Sequence, residues 1–494
     1  MKKTIILGGG TAGLVSALIL KKAFPLDTIT IIESDEIGIV GVGEGSTEHW
    51  RNFLEFCEID TATLVRDTDA TLKKGIKFEN WNGDGKSYFH ALAEPFYTEY
   101  SRAYPSGNTF IRTLIAHDIK TQELLTDTNL IYYNGGIRST NQYQFNTFKL
   151  NAFLHKVAAE RGVEIVKDTI SDVQLNSVGD VESLLGSEGV VYRADLFIDS
   201  SGFKRVISSK LGAKWVSYKK YLPMNHALAF PTEDVSDLKA YTLSRALSSG
   251  WNWRIPTQSR YGNGYVFCDE FQTSEQALAE VQSFYSEEVK VVKDIKFEAG
   301  RVDQFWINNC VSVGLSASFV EPLEATSIGN SILQAFGLVE MLQTWYYDRG
   351  VANIYNKKFI GCFDNIVDFV QLHYVTKRED TEFWRTIKNT MVMTDFNAAN
   401  LETFKKAIPC QQYFGGYHQF NMFNAPNYIQ VMHGLEMFDL DAIREYNKTY
   451  MSQETVNKEL ETYNKHLENL KKESLIEHKV LLEQNRYVLQ FEPQ

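Results

Sequence analysis

Gly8, Gly10 and Gly13 stand in the spacing GxGxxG. That pattern permits a tight turn at the first glycine and a close backbone approach to a pyrophosphate at the second. The third lets a helix pack tightly on a strand, and Thr11 and Ala12 complete the loop. Glu33 follows twenty residues after Gly13, where a carboxylate can accept the hydroxyls of a ribose. Two further groups could do chemistry. Lys73, Lys74 and Lys77 crowd one short segment, and Glu321 and Glu324 follow the apolar or small run VSVGLSASFV. A carboxylate buried there is costly without a purpose. On an extended strand, Leu72, Lys74, Ile76 and Phe78 share one face, and Lys73, Gly75 and Lys77 share the other.

The elements that must position these groups follow from the apolar pattern. Residues 3–7 (KTIIL) predict a strand, 14–24 a helix and 28–33 (TITIIE) a second strand, which together make one βαβ unit. Residues 194–199 and 304–314 read as later returns to the same sheet, ending at Ser200-Ser201-Gly202 and at Gly314. The expected fold is therefore α/β and Rossmann-type, with its nucleotide-binding module assembled from discontinuous pieces. We expect an FAD-binding module with an interleaved substrate-facing layer over residues 1–330. A mainly helical, substrate-covering region is expected over 331–494, its last fifty residues a charged amphipathic helix with a solvated polar face. The glycine site lies at the extreme N-terminus of a long chain and no second GxGxxG follows, which favours FAD reduced by a separate flavin reductase.

Bulk properties narrow the classes. A net charge of −12, with no long basic tract, argues against a nucleic-acid partner. No stretch is apolar for the ~18 residues that a membrane span needs, and MKKTIILGGGTAG reads as a strand entering a turn rather than a leader. The five scattered cysteines form no CxxC pair, so neither structural zinc nor a disulfide framework is expected, and the location expected is a reducing cytoplasm. A homo-oligomer is expected.

Several segments resemble the flavin-dependent tryptophan halogenases. These are GGGTAG (8–13), Gly41-Val42-Gly43-Glu44, Thr71–Phe78 with Trp81, DLFIDSSGF (195–203), Gly250-Trp251-Asn252-Trp253-Arg254-Ile255-Pro256, Asn309–Glu324 and DTEFWR (380–385). GWNWRIP, which fits the family's GWxWxIP, is the most specific of them. The resemblance implies that reduced FAD, O2 and a halide yield hypohalous acid, which crosses an internal tunnel to a lysine. That lysine presents the electrophile to an electron-rich aromatic ring while a glutamate orients the oxidant or helps remove the ring proton. Alignment to the family selects Lys73 for the lysine and Glu324 for the glutamate. It places FAD against Gly8, Gly10, Thr11, Ala12, Gly13, Glu33, Gly43, Glu44 and Gly314, and halide at the amides of Thr326 and Ser327. It sets His90, Trp251 and Trp253 on the substrate side, with the tryptophans keeping substrate away from the flavin.

Two departures bear on specificity. The family's Ser-Thr-Gly is Ala325-Thr326-Ser327 here, and serine in place of glycine is expected to restrict the backbone. The region that clamps tryptophan in the family is only loosely matched by Tyr413–Tyr428, which points to a broader range of small free aromatics. The altered Ala325-Thr326-Ser327 turn where the family's halide site would lie points to bromide or iodide over chloride, in keeping with a further resemblance in overall style to halogenases of marine viruses, some of which iodinate. The competing readings are a flavin-dependent aromatic hydroxylase, which needs neither Lys73 nor the WNWRIP segment, and a non-catalytic FAD-binding protein, which needs neither Lys73 nor Glu324.

Overall fold

The computed structural model describes residues 2–39, 44–91, 106–120, 129–132, 137, 140–344, 349–415 and 421–488. The chain forms two compact units, each gathered from three stretches. One comprises Met1–Ala70, Gln144–Asn225 and Lys296–Asn365, the other Thr71–Tyr143, His226–Ile295 and Ile366–Gln494.

In the first unit, Lys3–Leu7 pairs in parallel with Thr28–Glu33 on one side and Leu196–Asp199 on the other. Glu164–Lys167 extends one edge in parallel, and Cys310–Ser312 extends the other. Trp306–Ile307 turns back antiparallel beyond it. Parallel strands buried on both faces read as unbroken apolar runs, and Ile5, Ile6, Ile31, Ile32 and Ile198 are all fully buried. One face carries the Thr11–Ala23 helix, which is apolar nearly all round because the Thr147–Glu160 and Thr326–Thr344 helices cover its other sides. On the other face, Val173, Val181 and Leu184 of a small antiparallel sheet pack against Ile5, Leu7, Ile32 and Phe197. The expected strand over 304–314 is thus a short hairpin, of which only Cys310–Ser312 joins the parallel ladder.

The second unit is built on a seven-stranded sheet. Its order is Lys293–Lys296, His226–Thr232, Tyr261–Phe267, Gly250–Pro256, Thr242–Ala246, Gly75–Glu79 and Ser87–Ala91. The Gly75–Glu79 strand runs parallel to Thr242–Ala246, while its other neighbour, Ser87–Ala91, is antiparallel. The C-terminal part is helical, and its helices start where side-chain acceptors stand ready. Thr381, Thr394 and Asp439 accept from the backbone N–H of Trp384, Asn397 and Ala442. The last fifty residues differ from expectation. The helix Gln453–Lys472 is followed by a strand, Leu475–Glu477, and a further helix, His478–Val488. The strand pairs antiparallel with Leu130–Tyr132, a partner that local periodicity cannot reveal.

Among the described residues no helix is long and apolar enough to cross a membrane, and no group of three metal-ligating side chains is placed to hold an ion. None of the five cysteines, all of them among the described residues, forms a disulfide.

Candidate active site

The glycine turn has the stereochemistry its spacing implies. Gly8 has φ +117°, and a Cβ there would meet the Ser200 carbonyl oxygen at 2.3 Å. At Gly13 a Cβ would lie 2.1 Å from the Gly8 carbonyl oxygen, so only glycine lets the helix start this close to the strand. Gly10 is different, because a Cβ there would meet nothing within 4 Å. That opening stands at the start of the Thr11–Ala23 helix, whose first turn holds no acidic side chain. Open space beside uncapped helix-terminal amides fits a phosphate. Asn151 Nδ2 donates to the Gly9 carbonyl at 2.8 Å, and Ser200 Oγ donates to the Gly8 carbonyl at 2.8 Å, fixing the loop from both sides. Asp199, fully buried, accepts from the backbone N–H of Ser201, Ile207 and Ser208 and so shapes the Ser-Ser-Gly turn that carries Ser200.

Glu33 curls back over this turn, since a Cβ on Gly9 would fall 1.5 Å from its Oε2. Burial works to raise its pKa, but His155 Nε2 at 3.1 Å and Lys167 Nζ at 2.6 Å outweigh it. The net result lies below the usual carboxylate range. Neither partner was found from the sequence. Lys167 could have been suspected, because it ends the strand that pairs beside Glu33. Gly314, with φ +60°, also comes to the glycine loop, where a Cβ on it would lie 2.6 Å from the Ala12 Cβ. Glu44 has its backbone in a short strand paired with Gln144 and Phe145, and Gly43 lies outside the described residues.

Glu324 belongs to the same unit. It closes a 3-10 turn, Pro322–Glu324, and is 1% exposed. Ala325 takes the left-handed conformation with φ 55°, and Thr326, buried, opens a 19-residue helix. The expected backbone restriction at Ser327 is therefore corrected. Ser327 lies in the first helical turn, where any L residue fits, and the unusual torsion falls on Ala325 instead. The Ser327 side chain is exposed, and its carbonyl accepts from Ser331 Oγ at 2.9 Å.

The second unit holds Lys73, His90, Trp251 and Trp253. The expected continuous strand across the lysines is interrupted. Thr71–Leu72 and Gly75–Glu79 are strands, but Lys73 and Lys74 between them are not. Their backbones turn to different partners, with Lys73 N–H donating to the Gln142 carbonyl at 3.0 Å and Lys74 N–H to the Ala240 carbonyl at 2.7 Å. The break separates the three lysines. Lys73 is 1% exposed. The Lys74 ammonium donates to the Leu130 carbonyl at 3.1 Å, and burial pulls its pKa down to about 8. Lys77 lies over the rings of Phe89 and Tyr241. Thr71 Oγ1 donates to the Pro256 carbonyl at 2.7 Å, tying the lysine segment to the end of GWNWRIP.

Within that strand Trp251 and Trp253 share a face, 6.2 Å apart, and both are buried. The Trp253 ring fills the space that a side chain at Gly264 would take. Its Nε1–H, buried, meets no acceptor among the described residues. A bare interior donor costs about 1–3 kcal/mol, which a group bound there would offset.

His90, fully buried, packs against Phe369 and Phe423 at 5.1 and 6.2 Å. The Asn424 backbone N–H donates to Asn427 Oδ1 at 2.8 Å, which leaves Asn427 Nδ2 facing His90 Nε2 at 3.0 Å. That geometry makes His90 Nε2 an acceptor, so its proton belongs on Nδ1. Phe423 stacks on Phe369 at 4.0 Å, and Phe414 packs on buried Tyr428 at 4.9 Å. The loosely matched Tyr413–Tyr428 segment thus supplies an aromatic wall, although 416–420 lie outside the described residues. Asn427 and Phe423 were not singled out from the sequence.

The tryptophan halogenase family model matches residues 3–446. The chain belongs to the tryptophan halogenase family. Tryptophan 6-halogenase SttH of Streptomyces toxytricini is 29% identical over 452 residues, covering 84% of this chain and 86% of that protein. Tryptophan 7-halogenase RebH of Lentzea aerocolonigenes is 29% identical over 473 residues, covering 88% and 89%. Among solved structures, Tar14, a tryptophan C-6 flavin-dependent halogenase (chlorinase) from taromycin biosynthesis, superposes with a TM-score of 0.84. It is 28% identical and covers 98% of this chain and 100% of its own. This halogenase is therefore an enzyme with the FAD-binding α/β fold of its family, and its chemistry is FAD-dependent halogenation.

Proposed function

We propose that this halogenase passes hypohalous acid through Lys73 to a small, free, electron-rich aromatic of the indole or phenol type. In this reading bromide or iodide is used better than chloride. Reduced FAD, delivered by a separate reductase, supplies with O2 the oxidising power that turns halide into hypohalous acid. Gly8, Gly10, Thr11, Ala12, Gly13 and Gly314 would hold the FAD, with Gly43 and Glu44 beside it. Glu33 would take the ribose hydroxyls while Lys167 and His155 keep it charged and oriented.

The observation that carries the reading is the burial of Lys73 at a break between two strands. Lysine is almost never fully buried unless paired, so a buried lysine at such a break is uncommon. An ammonium there can hydrogen-bond hypohalous acid and sharpen its electrophilicity, and a desolvated amine could bind the halogen itself. Trp253, whose buried Nε1–H meets no acceptor among the described residues, would offer a donor to a polar species. Glu324 would stabilise the positive charge that develops on the substituted ring. The aromatic wall of Phe369 and Phe423 around His90 suits a flat apolar ring, held more by shape than by polar clamps.

The halide would sit at the first amides of the Thr326–Thr344 helix, where the helix dipole favours an anion. A larger halide loses less hydration on entering such a site and is easier to oxidise, so both effects favour bromide and iodide. The test combines the protein with FAD, a reductase and equimolar chloride, bromide and iodide, using indoles, phenols and pyrroles as substrates and mass spectrometry for products. Brominated or iodinated products on several rings are expected. Predominantly chlorinated product, or activity on tryptophan alone, would overturn the halide or substrate assignment. Hydroxylated product without halogen would overturn the function.

A further inference from the structure

His478 opens the last described helix and is 0% exposed, 406 residues away from the residue it holds. Its Nε2 accepts the backbone N–H of Leu72 at 3.0 Å. Its own backbone N–H donates to the Asn129 carbonyl at 2.7 Å. Just before it, Leu475, Ile476 and Glu477 pair with Tyr132, Ile131 and Leu130. The Leu130 carbonyl in turn accepts from Lys74 Nζ. The C-terminal segment therefore meets Leu72 directly and bears on Lys74 through the Leu130–Tyr132 strand that it pairs with.

The regular ladders are interrupted at Lys73 and Lys74, which belong neither to the Thr71–Leu72 strand nor to the Gly75–Glu79 strand. Leu72 ends a two-residue strand and Gly75 begins the next. Among the ties that hold the stretch are those of Thr71 Oγ1 to Pro256 and of the backbone N–H groups of Leu72 to His478, Lys73 to Gln142 and Lys74 to Ala240. Three of those ties end on backbone carbonyls, which any sequence supplies. The Leu72 tie ends on an imidazole lone pair, which only an acceptor side chain at position 478 supplies. His478 also lies beyond residue 446, where the match to the family model stops.

We propose that His478 is a positioning residue for Lys73, holding the Leu72 amide so that the C-terminal segment sets where the lysine presents its halogen. The inference rests on the Lys73 reading above. It requires that loss of the Leu72 tie uncouple the reaction while hypohalous acid is still made.

Three substitutions test it in the full chain with FAD, reductase, bromide and an accepted indole. His478→Leu fills the site but cannot accept a hydrogen bond, and His478→Ala leaves it empty. His478→Gln places a carbonyl oxygen near the position of Nε2. In the Leu and Ala proteins, brominated product per flavin oxidised should fall by roughly 10- to 10²-fold, the scale of an ångström-level misplacement. Flavin oxidation should stay at the wild-type rate, and the missing oxidant should appear in a free-hypobromite trap. The Gln protein should recover most of the coupling. Wild-type coupling in the Leu protein overturns the proposal, as does an equal loss of flavin oxidation and product, which marks a purely structural role. Lys73→Ala is the control. If it still gives coupled product, the Lys73 reading fails and this one with it, whereas a dead Lys73→Ala beside a fully coupled His478→Leu sinks only the His478 assignment. Should neither apolar variant fold, 15N-labelled imidazole in the wild-type protein decides. The expected signal has a proton on Nδ1 and none on Nε2, and a protonated Nε2 overturns the proposal.

Discussion

The glycine turn at residues 8–13 and the lysine segment at 71–74 are both short and both central, but they are held in different ways. The turn is shaped mainly by the glycines themselves: positive φ at Gly8, close packing at Gly13 and open space at Gly10. Its outside supports, Ser200 and Asn151, reach it through backbone carbonyls. The lysine segment has no such internal logic. Its backbone is tied to residues 142, 240 and 478 and its Thr71 hydroxyl to residue 256, and its residue types alone do not say which lysine is buried. A nucleotide-binding loop can thus be encoded locally, while the position of Lys73 is encoded by the whole second unit.

That contrast can be broken most directly at the two ends of the proposed reaction. Lys73→Ala should oxidise reduced flavin at the normal rate yet give no halogenated product, read by flavin absorbance and mass spectrometry together. Product near the wild-type rate would dissolve the distinction between the two regions. Glu324→Gln keeps the shape of a buried side chain and removes its charge. It should lower product formation by roughly 10²-fold, the usual size for one preorganised electrostatic group. If its turnover is unchanged, Glu324 has no part in halogen transfer.

Gly10→Val sharpens the comparison from the other side. A Cβ there meets no atom of the described residues within 4 Å, so the fold should persist, but the side chain fills the open space beside the helix amides. Flavin affinity should fall by roughly tenfold or more, with flavin oxidation and halogenation declining together, and titration of flavin fluorescence measures it. A variant that binds FAD as tightly as wild type would place the pyrophosphate elsewhere.

The remaining expected effect is on stability. Burial holds the His478 imidazole well below its ordinary range, down to about 4, with the nearby Lys74 ammonium acting in the same direction. A group whose folded pKa is depressed takes up protons more readily when unfolded. Stability is then fully present above pH 6.5 and is lost as pH falls towards 4, by about 3 kcal/mol over that window. Lys74, drawn down to about 8 by burial, acts in the same sense at higher pH, so stability should rise again from pH 8 towards 10.5. Denaturant melts across this range should show both slopes. His478→Gln should flatten the acid one, and an unchanged acid slope in that variant would assign it to other groups.

How much could be read from the sequence follows the same division. The parallel sheet and its discontinuous strands, the glycine turn and the position of Glu33 were legible because each depends on neighbours in sequence or on apolar runs that only a doubly buried strand explains. Alternation along an extended strand could not choose Lys73, because the strand stops at that point. The expected strain at Ser327 was assigned from residue type, but the left-handed torsion is carried by Ala325 before the helix begins. Lys167, His155, Asn427 and His478 left no local signal. Each matters through a contact with a residue far away in the chain, and His478 sits in what reads as an ordinary charged helix.

The pairing of Leu475–Glu477 with Leu130–Tyr132 also sets an order of completion during synthesis. All the residues of the first unit have been made once the ribosome reaches position 365, more than a hundred codons before His478 is added. Domains generally fold as units as the chain emerges. The unit that carries the glycine turn is therefore complete in sequence while the unit that carries Lys73 still lacks one of its anchors.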